Sequence, residues 1–393
     1  MSTTQIALLE AIKASLFGIE PNYPADTDWA EVVKEAKAQT VLGIISPVIP
    51  VKDVSVEMGK AKYMKLLFEQ DKLIKLLDAN DIPCVILKGF AAAQYYPKPY
   101  LRAMGDVDFL VPKDKFLSAA KILESDGYTY LHGKTEDGII SKEIRVIEYI
   151  KNGIDYELHQ YFSSPGFDID DILEQAIIKR EYHNLDGYSI PILSDVENGL
   201  VLLGHINHHL KKNYLGLRQI IDWEMYINQV MDCDLWNSSF MPLIKEIGLD
   251  KLAINVTAMC IKYFGLPNNI GLTEQSEDEL LNALLEILFE DGNFGRKANE
   301  SADKLNDRKT MGTIYNIKRN GFFKYFQSIG LSMWIPCKRY QILKPFAWVY
   351  GIVRTIYKGV KANIKMGNFR EQVRKSNDRH TVYKKIGIKT DNR

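Results

Sequence analysis

Asp106 and Asp108 stand in Gly105-Asp106-Val107-Asp108-Phe109, where acidic and apolar residues alternate. On an extended strand successive side chains point to opposite faces, so both carboxylates emerge on one side while Val107 and Phe109 enter the core. Two like charges aimed at one spot need a shared proton or a cation, and a hard, oxygen-lined site suits Mg²⁺, or Mn²⁺. Asp-x-Asp alone is also common in loops and caps, so its surroundings decide its meaning. Here Lys88-Gly89 follows an apolar run, Arg102 precedes the acids, and Glu157 lies on a later strand segment. Each has a use in phosphoryl or nucleotidyl transfer. Backbone N–H groups at Gly89 cradle a phosphate, Lys88 and Arg102 neutralise a triphosphate, and metal ions clamp the attacking and leaving oxygens of an in-line displacement.

The elements that would position these residues are readable from pattern. Cys84-Val85-Ile86-Leu87, Lys88-Gly89 and Phe90-Ala91-Ala92-Ala93 read as strand, tight turn and helix. A second strand is expected over residues 107–111, an amphipathic helix over 113–125, and a third strand opening at Gly127-Tyr128. Segments 144–150 and 154–162 form a hairpin around Lys151-Asn152-Gly153, because Asn-Gly supplies the positive φ angles of a tight turn. Residues 1–80 read as helices, the second capped by Asp28 and the third covering about 54–79. Ser194 with Glu197 makes a capping box before a helical region reaching about residue 288. The expected fold class is α+β, a small mixed sheet flanked by helices. Its segments are an N-terminal helical region (1–80), a small mixed α/β core (81–192), a helical domain (193–307) and a basic helical extension with a frayed tail (308–393).

These residues resemble the nucleotidyltransferases of the DNA polymerase β-like fold, and more closely the branch called uncharacterised nucleotidyltransferases. The resemblance rests on Val85-Ile86-Leu87-Lys88-Gly89-Phe90, Arg102, Gly105-Asp106-Val107-Asp108-Phe109-Leu110-Val111 and Tyr156-Glu157-Leu158-His159. Asp28-Trp29-Ala30-Glu31, Gln39-Thr40-Val41-Leu42-Gly43 and the downstream His205, His208, Arg218 and Asp222 agree with it, so that it spans about residues 1 to 290. It implies that Asp106 and Asp108 hold the metals, and that Glu157 is the third carboxylate and also draws the proton from the attacking hydroxyl. Lys88, Gly89, Arg102, His205, His208, Arg218 and Asp222 would line the nucleotide site. A Ser commonly follows the turn Gly in the broader superfamily; here Phe90 does, which leaves the phosphate to Gly89 and Lys88. The implied activity is Mg²⁺-dependent transfer of a nucleoside monophosphate, AMP from ATP, to an unidentified hydroxyl or phosphate acceptor. The rival is a non-catalytic nucleotide- or partner-binding protein retaining the fold.

Several positions also admit plainer readings. Arg102 could pair with Asp106 or Asp108 as a structural ion pair, Lys88 could be an exposed strand end, and Glu157 could be an ordinary solvent-facing residue. His159 is either a partner of the site or a half-buried imidazole. His205 shares a helix side with His208 and His209, but no acid or thiol nearby completes a zinc set. Arg218 and Asp222 are spaced i, i+4 and form either a surface bridge or part of the cleft lining.

Composition narrows the rest. Four cysteines, none in a Cys-x-x-Cys pair, argue against a disulfide framework, and no secretory leader is legible. The expected location is the cytoplasm, with peripheral attachment to a membrane left open. A net charge of zero hides a division: residues 308–393 carry 20 basic and 3 acidic residues (+17), and the remainder 30 and 47 (−17). The basic part would contact the acidic body, a membrane surface or nucleic acid.

Overall fold

The alternating segments assemble in a computed structural model of the chain into a five-stranded mixed sheet. Residues 1–132, 144–162, 168–212, 215–273, 276–293, 313–314, 316–317, 320–334, 336–337, 340–361 and 366–388 are described. The strands are β1 (Val85–Leu87), β2 (Val107–Leu110), β3 (Thr129–His132), β4 (Val146–Lys151) and β5 (Ile154–His159). β1 runs antiparallel to β2, β2 parallel to β5, β5 antiparallel to β4, and β4 antiparallel to β3. The β4–β5 turn carries positive φ at both Asn152 (56°) and Gly153 (72°), as the Asn-Gly pair requires. The architecture is α+β.

One face of the sheet is apolar and covered by helices. Ile86, Val107, Phe109, Ile147, Tyr149, Tyr156 and Leu158 pack with Tyr63, Leu66 and Leu73 of α4 (Val54–Asp78), Phe90 of α5 (Gly89–Ala93) and Phe116 and Leu123 of α6 (Phe116–Ser125). The alternate residues, including Asp108, Glu148, Glu157 and His159, stand on the other face. Three elements were not legible in advance. They are α7 (Asp170–Ile178) and a separate hairpin, β6 (Glu181–Leu185) with β7 (Tyr188–Ile192).

Chain contacts divide the protein into two units, residues 1–208 with 216–277, and residues 209–215 with 278–393. The expected segments 1–80 and 81–192 fall in the first unit, whereas the segment 193–307 is divided between the two. The first unit also contains helices α1 (Thr3–Phe17), α2 (Trp29–Gln39) and α3 (Leu42–Ile45), most of α8 (Asp195–Lys212), α9 (Leu217–Val230) and α10 (Asp250–Tyr263). Asp28 caps α2 by accepting from the Ala30 and Glu31 N–H groups. At α8, Ser194 Oγ donates to the Glu197 carboxylate. Packing of α8 on α9 is close, since a Cβ at Gly199 would lie 2.1 Å from Tyr226 Oη.

In the second unit, α11 (Asp278–Asp291) receives the helix Met366–Lys385 through Arg379, which donates to both Asp291 oxygens at 2.9 and 2.8 Å and to Glu290 at 2.9 Å. That helix runs through most of the stretch expected to fray, because Arg379, Tyr383, Ile386 and Ile388 are buried. The last five residues of the expected tail lie outside the described residues.

Candidate active site

Strand register brings the acids together. Asp108 on β2 lies beside Glu157 on β5 in parallel pairing, and His159 follows two residues on along the same face. Their ligand atoms, with that of His159, lie within 4.8 Å of one another, the one group of this kind among the described residues. His159 Nε2 is 3.0 Å from Asp108 Oδ1 and 3.3 Å from Glu157 Oε2. Lys88 Nζ donates to the same Asp108 oxygen at 2.6 Å, so an ammonium and an imidazole converge on one carboxylate.

Lys88 reaches Asp108 because the chain turns sharply where β1 ends. Leu87 pairs with Asp108, and Lys88 then takes φ 51°, ψ −124°, a conformation a side chain-bearing residue adopts only under constraint. Gly89 follows with φ 23° and opens α5, whose first N–H groups have no helical acceptor. The strained turn thus places a cation and unsatisfied amide groups at the same end of β1.

The electrostatics suit a site that holds a cation. Burial opposes ionisation of Asp108, but the Lys88 ammonium and the His159 bond overcome it and hold its carboxyl well below the usual range. Glu157 moves upward, through burial and the Asp108 charge, against the His159 bond that favours its ionised form. Asp106 is exposed to solvent, yet the protein mass around it and the neighbouring Asp108 charge raise its carboxyl. For His159, burial disfavours the imidazolium, while the bonds to Asp108 and Glu157 raise its pKa. Lys88 likewise loses hydration but gains more from Asp108 and Glu157, and its pKa rises. Asp108, Glu157 and His159 form the donor set that could hold a divalent cation, and Asp106 lies outside that group while adding its negative charge nearby.

Arg102 pairs with a carboxylate other than Asp106 or Asp108. Its Nε and Nη2 donate to the two oxygens of Asp222 at 2.7 Å each, and Tyr96 Oη donates to the same carboxylate at 2.6 Å. Arg102 and Asp222 are both buried, so the pair joins the segment before the acids to α9. Asp222 therefore bridges to Arg102, 120 residues away, rather than to Arg218 at i−4. Arg218 is buried and donates to the Ala103 carbonyl at 3.2 Å. Burial and the Arg102 charge lower its pKa, and its own charge stabilises the Asp106 carboxylate.

The upstream flank buttresses this arrangement. A Cβ at Gly43 would lie 2.3 Å from the Leu101 carbonyl, so the residue beside Arg102 packs directly against a glycine backbone. Gln39 Oε1 accepts from the Leu217 N–H at 3.0 Å, holding the start of α9. His205 and His208 are half-buried on α8 and are not in the Asp108 group. Glu148 was not singled out: it sits opposite Glu157 across the β4–β5 pair and so faces the same way, outside the Asp108 group. The signal was the alternation of Ile147 and Tyr149 around it, together with the Asn-Gly turn that fixes the hairpin register.

Comparison with known proteins shows the family. The model of a family described as uncharacterised nucleotidyltransferase matches residues 25–265. Among solved structures, the chain is similar to an antigenic nucleotidyltransferase-like protein from Paracoccidioides brasiliensis, at 16% identity and a TM-score of 0.35, over 54% of this chain and 94% of that one. No curated protein matches. The turn at Lys88-Gly89, the acids of β2 and β5 and the Arg102–Asp222 clamp all fall within the matched span, and the chain belongs to the uncharacterised nucleotidyltransferase family.

Proposed function

We propose that the chain is a nucleotidyltransferase that moves a nucleoside monophosphate, AMP from ATP, onto a hydroxyl or phosphate acceptor. The acceptor oxygen bonds to the α-phosphorus, the bond from that phosphorus to the bridging oxygen breaks, and pyrophosphate leaves. The observation that carries this reading is the side-by-side register of Asp108 and Glu157, with Lys88 and His159 both bonded to Asp108. Asp106, Asp108 and Glu157 would hold Mg²⁺ or Mn²⁺, and the bound ion would neutralise charge on the reacting phosphate and leaving group.

The remaining roles fall to the chain itself. Glu157 takes the acceptor proton, a task its upward-shifted carboxyl suits, and His159 bridges it to Asp108 and fixes its direction. Lys88 leaves Asp108 for the triphosphate, and the N–H groups at Gly89 meet the same oxygens. Arg102 and Asp222 bind no phosphate directly; they hold the segment carrying Asp106 against α9, where Arg218, His205 and His208 complete the nucleotide pocket.

The test pairs binding with turnover. Calorimetry with Mg²⁺ and a non-hydrolysable triphosphate should give binding by the wild type and its loss in Asp106→Asn and Asp108→Asn. Equal binding by all three would sink the metal assignment. Incubation with α-labelled ATP and cell extract should then move label to an acceptor. Binding without transfer would favour the non-catalytic rival, to which the Lys88–Asp108 pair gives some support as a resident substitute for a metal.

A further inference from the structure

The second unit carries a surface that nucleotidyl transfer does not use. The helices Phe322–Met333 and Ala347–Lys361 fold back on each other at very short range. A Cβ at Gly330 would lie 1.8 Å from the Ala347 carbonyl oxygen, and one at Gly351 2.3 Å from that of Phe326. Trp334 stacks on Tyr350, and Phe323 meets Trp348 edge-on. Backbones in contact through glycines leave much of the larger side-chain area pointing outward. Ile342 is 80% exposed, Val353 60% and Ile356 61%, and Phe323, Phe346 and Tyr357 are exposed with them. Val349, Val353 and Ile356 follow one another at i, i+4 and i+7, which makes a single apolar stripe along the second helix.

Charge identifies what would cover this stripe. Residues 308–370 contain 13 Lys and Arg and no Asp or Glu, and the exposed Lys324 and Lys344 flank the aromatic residues. Nucleic acid would match the cations but has no use for the exposed Ile342, Val353 and Ile356. A second copy meeting this one face to face would set basic residue against basic residue. A bilayer with anionic headgroups satisfies both features, since aliphatic side chains enter the acyl boundary while Lys and Arg meet phosphates and Trp and Tyr sit at headgroup depth. No described helix is long and apolar enough to cross a membrane, so the element would lie in the interface.

We propose that the helical pair Phe322–Met333 and Ala347–Lys361, with the connecting Gln341–Phe346 turn, docks the protein on an anionic lipid bilayer. This stands apart from the nucleotidyl-transfer reading, and its test needs no nucleotide. Full-length protein is sedimented with vesicles of phosphatidylcholine alone and of phosphatidylcholine with phosphatidylglycerol. The wild type should partition onto the mixed vesicles, release with rising salt, and shift its Trp emission to shorter wavelength. Val353→Ser/Ile356→Ser should lower the partition coefficient at least about tenfold, and Lys324→Gln/Lys344→Gln about 25-fold, roughly fivefold per charge. These positions are exposed, and an unchanged melting temperature in each variant confirms that folding is intact. Equal partition by wild type and both variants, or no preference for phosphatidylglycerol, overturns the proposal. So does a dimer, a single-stranded DNA complex or a salt-sensitive internal contact that the same substitutions abolish while vesicle binding is absent.

Discussion

Asp108 and Asp222 are both buried carboxylates that meet a cation at close range, yet their surroundings oppose each other. Asp222 has a bidentate Arg102 and a Tyr96 hydroxyl, and the one further acid that acts on the pair, Asp106, weighs on Arg102 less than either of them. Asp108 faces Lys88 and His159, but Glu157 shares the imidazole and Asp106 adds a further negative charge. A closed pair of matched charges is a clamp, and losing one partner strands the other in low dielectric. An unbalanced cluster at the edge of solvent is primed to exchange its cation. The first holds the segment that carries the acids, and the second has the composition of a reaction site.

The sharpest break between the two should come from changing each carboxylate in turn. Asp108→Asn should lower pyrophosphate release from ATP by about a thousandfold, comparable with removing a principal electrostatic stabiliser, with little loss of fold. A variant retaining a tenth of the wild-type rate would remove Asp108 from the site. Asp222→Ala should instead destabilise the fold by about 3–5 kcal/mol, because Arg102 is left buried without its counter-ion. Urea unfolding measures this, and the double variant Arg102→Met/Asp222→Leu should recover most of the loss. Failure of the double variant to recover would mean that the pair does more than clamp.

His159→Gln probes the cluster more gently. Removing the imidazole that aligns two carboxylates should weaken divalent-ion affinity by roughly 10- to 100-fold, read by calorimetry, with the urea midpoint unchanged. Unaltered affinity would reduce His159 to a packing residue.

The smallest effect concerns Glu224, two residues from Asp222 on α9. It is fully buried, and neither carboxylate oxygen has a hydrogen-bond partner among the described residues. Burial raises its pKa well above the ordinary carboxyl value, so the folded state keeps a proton that the unfolded chain releases. Stability from this group therefore falls as pH rises through the unfolded pKa, until the folded pKa is passed. The steepest slope is about 1.4 kcal/mol per pH unit. Glu224→Gln should flatten that decline in urea midpoints taken from pH 4 to 8; an unchanged pH profile would show that Glu224 ionises in the fold.

Much of the sheet could be read from alternation, since Val107/Phe109 and Tyr156/Leu158 mark the inward face and Asn152-Gly153 the turn. The neighbouring acids followed from that alternation, but not their contact. Parallel pairing of β2 with β5 is a choice among distant partners, and local pattern does not encode it. Arg102 illustrates the same limit, because its proximity in sequence to Asp106 and Asp108 suggested a shared task while its partner lies in α9. Lys88 carried no sign of its positive φ, a conformation usually announced by glycine or asparagine. Glu148 was hidden for the opposite reason, since one acid in an apolar-polar alternation looks like any solvent-facing residue.

Parallel pairing of β2 with β5 also sets when the site comes into being. Asp108 and Glu157 are 49 residues apart in sequence, and β5 enters the sheet between β2 and β4. A nascent chain ending before β5 would hold Lys88, Asp106 and Asp108 without the acid and imidazole that complete them. Closing that long loop is an entropic cost met only when the whole sheet forms. On the proposed function, competence to bind a metal-bound nucleotide would arrive in one step with the finished sheet, and an ion or nucleotide held there would draw the folding equilibrium toward completion.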